Sequence, residues 1–383
     1  MLLAGGSLAM LLNRSAHPVV RKLSRDCIGC HNPVSYALAG TNAAKFSKGV
    51  HPVSPGFVAS DPAIPDTRVM TGEECSMCHA DVFRTWKSAN HAQAYTNAIF
   101  QTAFKIEKTA WCVNCHGPLW KSEKTPLTKL GVEGKEEPGL HHAGVSCVVC
   151  HMKDGRIYTR NAKKRDPTKL FHPLYVDTRL GDDEYCAGCH QFNFVSHHEP
   201  WPVYENSIPM QNTVEEYREI IPDRRIACYS CHFVKTDHSL HPRGDLKSVL
   251  KYKIASSRHD DRRRITFDIR LENLGHYFPT GDLLRIFSLY VKNGRGEELF
   301  RKDYRKQVRI IDRTLVADSV LRPDPATLAA TDRVIFETKT TDLRCEIVYR
   351  RQGGLEHKAS KFNLPTKIHH SVIYSGPCDA VRW

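Results

Sequence analysis

The chain has 383 residues, enough for two domains, and a formal charge of +13. No nucleic-acid-binding motif accompanies that charge, so nucleic acid is excluded as a partner. The basic excess is uneven: from Leu246 to Trp383 there are 27 Lys and Arg against 17 Asp and Glu, whereas Met1 to Asp245 carries 28 against 25. A redox partner with an acidic face, or an anionic surface, is expected against the C-terminal part.

Met1 to Leu12 is a short apolar segment without a basic lead, signal- or anchor-like in character. Twelve residues are too few to span a bilayer as a helix. This segment is expected to serve as a retained anchor or to pack on a partner.

Six copies of C-x-x-C-H follow, at Cys27-Cys30-His31, Cys75-Cys78-His79, Cys112-Cys115-His116, Cys147-Cys150-His151, Cys186-Cys189-His190 and Cys228-Cys231-His232. This is the attachment pattern of c-type haem: each cysteine takes one vinyl group as a thioether, and the adjacent histidine lies under the iron. Zinc ribbons also use C-x-x-C pairs but need no histidine after each pair. Pairs repeated at such even spacing make a poor disulfide framework. The expected cofactor is therefore six covalently attached haem c. Their attachment occurs outside the cytoplasm, so an exported protein is expected, periplasmic or extracellular, with membrane association through the N-terminal segment. Twelve of the fourteen cysteines are used in this way, which leaves Cys345 and Cys378 as a disulfide or as two buried thiols.

The first cysteines of successive motifs lie 48, 37, 35, 39 and 42 residues apart. Some forty residues per haem cannot make an ordinary apolar core, so the porphyrins must form it, wrapped by loops such as His51-Pro52-Val53-Ser54-Pro55-Gly56. Helices should be few and short: Ala80 to Lys87, Gln93 to Phe104 and Val214 to Ile220. From Leu246 the pattern changes. Ile265, Phe267, Ile269 and Leu271 alternate with polar residues, as Leu343, Cys345, Ile347 and Tyr349 do. Leu284 to Lys292 and Ile368 to Tyr374 read as further strands. Asn293-Gly294-Arg295-Gly296 reads as a hairpin turn into Glu298-Leu299-Phe300. The expected fold is thus a mostly irregular and helical hexahaem domain, residues 1–245, followed by an all-β sandwich, residues 246–383.

Six irons need six distal ligands, and fifteen histidines remain to supply them. His51, His91 and His172 are singled out by context. One each is expected from His141 or His142, from His197 or His198, and from His238 or His241, with His142, His198 and His238 the working choices and His17 a spare. The C-terminal histidines His259, His276, His357, His369 and His370 are expected to be structural.

The segments Trp86 to Ala92, Gly144 to His151, Glu184 to Phe192 and Pro209 to Tyr217 resemble the multihaem cytochromes related to the tetrahaem c-554 type, which takes electrons from hydroxylamine oxidation. The resemblance implies that His91 and His172 are distal ligands. Gly275-His276-Tyr277-Phe278-Pro279-Thr280-Gly281 resembles the start of the β-sandwich that often follows such a haem region. The hydroxylamine-linked cytochrome has four haems and no such β domain, so its substrate and partner do not carry over. Some members of the wider family polymerise into filaments that share histidine ligands across subunits. The first motif, with His17 and His51, is a candidate junction of that kind.

The expected function is electron transfer along a chain of bis-histidine haems, alone or as a subunit of a filament or membrane complex. The alternative is an oxidoreductase with one open haem acting on nitrite, nitric oxide or hydroxylamine. The six regular motifs, without a lysine variant, favour the conductor over the catalyst.

Overall fold

The protein is represented by a computed structural model that describes residues 72–106, 110–119, 139–153, 156–160, 174–196, 203–233, 237–240, 246–282, 284–309, 314–351 and 370–382. The Met1–Leu12 segment, the first haem motif and His17, His51, His172, His197, His198 and His241 lie outside these residues. The chain divides into two compact units. One comprises Met1–Gly188, Val195–Tyr204 and Thr236–Leu240; the other comprises Cys189–Phe194, Glu205–Lys235 and His241–Trp383.

The first unit is built from short helices: Glu73–Ser76, Ala80–Lys87, Ala98–Ile106, Ala110–His116 and Cys147–His151. Ala80–Lys87 falls where the sequence places it. The next helix begins at Ala98, not Gln93, because Asn97 stops it: its Oδ1 accepts the Ile99 N–H at 2.8 Å, as a capping residue does. Among the described residues, this unit's buried apolar clusters are small. Leu119, Val148, Val149 and Met152 form one, and Tyr95, Phe100, Phe104 and Val113 another. Such clusters cannot offset the ordering of a long chain, which fits a core completed by bound groups. Strands β1 (Met152–Lys153), β2 (Arg156–Thr159) and β3 (Tyr175–Val176) make a small sheet after the fourth motif. The helix Asp183–His190 carries the fifth motif, and β4 (Gln191–Ser196) with β5 (Val203–Asn212) forms a two-stranded ribbon.

In the second unit, helix Thr213–Ile220 leads to the motif helix Cys228–His232. A two-sheet sandwich follows. One sheet has the order β10-β9-β8-β12-β13: Thr314–Ser319, Glu298–Arg309, Ile286–Asn293, Leu343–Arg350 and His370–Pro377. The other has the order β11-β7-β6-β14: Ala330–Thr338, Arg262–Leu271, Leu250–His259 and Ala380–Arg382. Every pairing is antiparallel, and the core between the sheets contains Leu250, Ile254, Ile265, Phe267, Ile269, Leu271, Phe287, Leu289, Val291, Cys345 and Ile347. The alternation at Ile265–Leu271 appears as expected, with all four apolar residues buried. The β-strand region starts near Leu246, but residues 205–235 cluster with it. The reason is packing: Tyr217, Ile220 and Ile221 bury themselves against Tyr277.

Cys345 and Cys378 form a disulfide, which resolves the choice the sequence left open. It closes a loop with a sequence separation of 33 residues, so replacing both cysteines by serine should cost about 3–4 kcal/mol by the chain-entropy relation. Denaturant unfolding of the haem-loaded double variant checks this; a loss under about 1 kcal/mol would contradict it.

Candidate haem-binding site

In each fully described C-x-x-C-H motif the cysteines are three residues apart on a helical turn, which puts both sulfurs on one side and the histidine beside them. Among the described residues, no group of three or more His, Cys, Asp or Glu is placed to share one metal ion.

The histidines of these motifs are oriented from behind. His116 Nδ1 is 2.9 Å from the Ala94 carbonyl oxygen, and His151 Nδ1 is 2.9 Å from that of Tyr158. A hydrogen bond from Nδ1–H to a carbonyl fixes the tautomer and leaves Nε2 as the ligand atom, as in most metal-bound histidines. Burial holds His151 and His190 below the usual imidazole range, so both are neutral, the form that binds metal. Phe100 stacks on the His116 ring at 4.0 Å, and Tyr185 Oη donates to the Cys150 carbonyl at 2.5 Å. The side chains of Cys75 and Cys147 are neighbours, so motifs two and four lie close together.

Two pairs of histidine rings have a spacing that bears on metal binding. His151 and His238 have ring centroids 6.2 Å apart, and His232 and His276 have centroids 6.3 Å apart with planes 15° from parallel. A metal–imidazole bond is about 2 Å and the ring centre lies about 1 Å beyond the nitrogen, so two imidazoles trans across one metal sit about 6 Å apart. Rings packed directly on each other are closer, as His141 and His142 are at 4.6 Å. The donor set and its spacing thus fit a six-coordinate haem iron at both places. Thr85 helps to position His238, accepting its backbone N–H at 2.9 Å.

His91 is held by its backbone: its carbonyl accepts the Val145 N–H at 2.9 Å, and Trp86 Nε1 donates to the Val145 carbonyl at 2.9 Å. This ties the Trp86–Ala92 segment to the approach of the fourth motif. His141 is buried and edge-on to Tyr95 at 4.7 Å, with His142 5.2 Å from the same ring. His276 was expected to be structural, yet it lies opposite a motif histidine. Nothing local in its sequence announces this, since the partner is 44 positions away and the two meet only through the fold.

Residues 10–164, less than half of the chain, match the family model of outer-membrane cytochromes of the MtrC/MtrF type, domains II/IV. No curated protein matches the sequence. The crystal structure of a penta-haem cytochrome c552 from Thermochromatium tepidum superposes with a TM-score of 0.58 at 18% identity, covering 79% of this chain and 97% of that one. With the attachment motifs and opposed histidines described above, the chain has the fold of a multihaem c-type cytochrome.

Proposed function

We propose that the protein is an electron carrier that holds six haem c groups, with iron coordination completed by histidine on both sides. The observation that carries this reading is the His151–His238 pair at 6.2 Å, two imidazoles that would hold the iron of a haem attached at the fourth motif. When bound, haem supplies a one-electron couple tuned by its ligands and surroundings. The chain's own residues do the rest: Cys147 and Cys150 anchor, His151 and His238 clamp, and the Tyr158 carbonyl and Thr85 hydroxyl hold the two histidines in place. Proximity of Cys75 and Cys147 supports this reading, because haems attached at the second and fourth motifs would be close enough to exchange electrons. His91 and His142, and outside the described residues His51, His172 and His198, are our remaining candidates for distal ligands.

The similar family and fold belong to an outer-membrane cytochrome type and a penta-haem cytochrome. They favour an exported electron-transfer protein over the alternative with an open haem that reduces nitrite, nitric oxide or hydroxylamine. The disulfide supports an oxidising, extracytoplasmic location. Among the described residues no helix is long and apolar enough to cross a membrane. The basic sandwich would face an acidic redox partner, and assembly into filaments or a membrane complex fits the same role. The test is electron paramagnetic resonance of the ferric protein with carbon monoxide titration of the ferrous protein. We expect only low-spin haem and no carbon monoxide binding. His238→Ala should open one site, giving one high-spin iron per chain and one bound carbon monoxide. A high-spin fraction in the unaltered protein would favour the catalytic alternative.

A further inference from the structure

We infer that His276, on the loop between the sandwich strands Arg262–Leu271 and Ile286–Asn293, is the distal ligand of the haem attached at Cys228–His232, so that the sandwich is an integral part of the redox chain. This rests on the electron-carrier reading and extends it to a domain without an attachment motif of its own.

Three observations converge. First, the His276 and His232 rings are nearly parallel with centroids 6.3 Å apart. That is too far for direct ring stacking and matches two imidazoles trans on one metal, as for His151 and His238 at 6.2 Å. Second, His276 Nδ1 lies 2.9 Å from the Tyr277 carbonyl oxygen, its one hydrogen bond among the described residues. This is the arrangement His116 and His151 show, with Nε2 left as the ligand atom.

Third, the loop is fixed on both sides of the ring. Leu274 N–H donates to the Leu328 carbonyl at 2.9 Å, and Phe278 exchanges backbone hydrogen bonds with Leu321 at 2.9 and 2.7 Å. Tyr277 is buried against Tyr217, Ile220 and Ile221, the helix that leads into the sixth motif. The segment presenting His276 is therefore packed on the segment presenting His232.

The test uses the full haem-loaded protein with His276→Ala, His276→Met and, as a control, His259→Ala, which alters a half-exposed histidine of the same sandwich. In His276→Ala we expect one high-spin ferric haem and one carbon monoxide bound per chain, with low-spin character restored by added imidazole. In His276→Met the haem should stay low-spin while one reduction potential rises, because thioether ligation raises it. His259→Ala should match the parent protein. Should the alanine variant fail to load haem, the methionine variant decides through its potential. The inference is overturned if His276→Ala remains wholly low-spin and binds no carbon monoxide, or if His276→Met leaves every potential unchanged. High-spin haem in the parent protein would instead refute the electron-carrier reading, so the two failures are distinguishable.

Discussion

Replacing Glu216 by alanine should destabilise the protein by about 3–5 kcal/mol, the usual cost of breaking a buried ion pair. Glu216 is fully buried, and its carboxylate pairs with Lys306, whose side chain is only 9% exposed. Thr280 Oγ1 donates to the other carboxylate oxygen at 2.5 Å, and Thr213 lies 3.0 Å from Thr280. Without the carboxylate, Lys306 would lose its ion-pair partner at low dielectric. Equilibrium unfolding of the haem-loaded variant measures the loss. Glu216→Gln keeps the packing but not the charge, so it should recover little. Glu216→Leu combined with Lys306→Met removes both charges and should recover most of the stability, because the pair's desolvation cost disappears with it. Equal losses in the single and double variants would refute the ion-pair account. The pair joins the helix before the sixth motif to the strand Glu298–Arg309, and Thr280 ties the same carboxylate to the loop that carries His276, so Glu216→Ala should also disturb the spectrum of the haem bound by His232.

The parts of this architecture legible in the sequence are local. C-x-x-C-H needs one helical turn to place its ligands, and Ile265 to Leu271 alternates because one face of a strand is wet. β8 was legible as well, at Leu284 to Lys292, although its six successive buried positions include Ser288, which donates to Asp303 at 2.6 Å and accepts from Arg350 at 3.0 Å. A polar residue satisfied by side chains can sit in a core without ending the strand. Other strands hide for equally local reasons. β9 runs through Arg301, Lys302, Asp303, Arg305 and Lys306, so charge masks its two-residue period. β6 begins with Leu250, Tyr252 and Ile254 buried and ends in exposed polar residues, which blurs the same signal. His276 was illegible for a different reason: what makes a histidine a distal ligand is its partner across the metal, and only the tertiary fold supplies that. His238 was recognisable as a candidate, but its sequence position beside the sixth motif gave no sign that it would oppose His151 of the fourth.

Gly144→Ala should be as damaging as the loss of Glu216, at roughly 3–6 kcal/mol, the sum of backbone strain and overpacking. Gly144 has φ 59° and ψ −139°, a conformation glycine adopts freely and alanine does not. A Cβ there would lie 2.4 Å from the His91 carbonyl oxygen and 2.7 Å from that of Ala92. Both obstacles are backbone, so neither can rotate away. The His91 carbonyl is also the acceptor of the Val145 N–H, so relief of the clash would break that bond and loosen the Trp86 anchor beside it. Gly296→Ala isolates the conformational part of the effect. Gly296 also has positive φ, 83°, but nothing lies within 4 Å of a Cβ there, so it should cost only about 1 kcal/mol. The comparison is made by unfolding both haem-loaded variants. Equal losses would mean that close approach of the two segments contributes nothing. A larger loss at Gly144, with an altered spectrum for the haem held by His151, would mean that the junction between the His91 segment and the fourth motif needs a residue without a side chain.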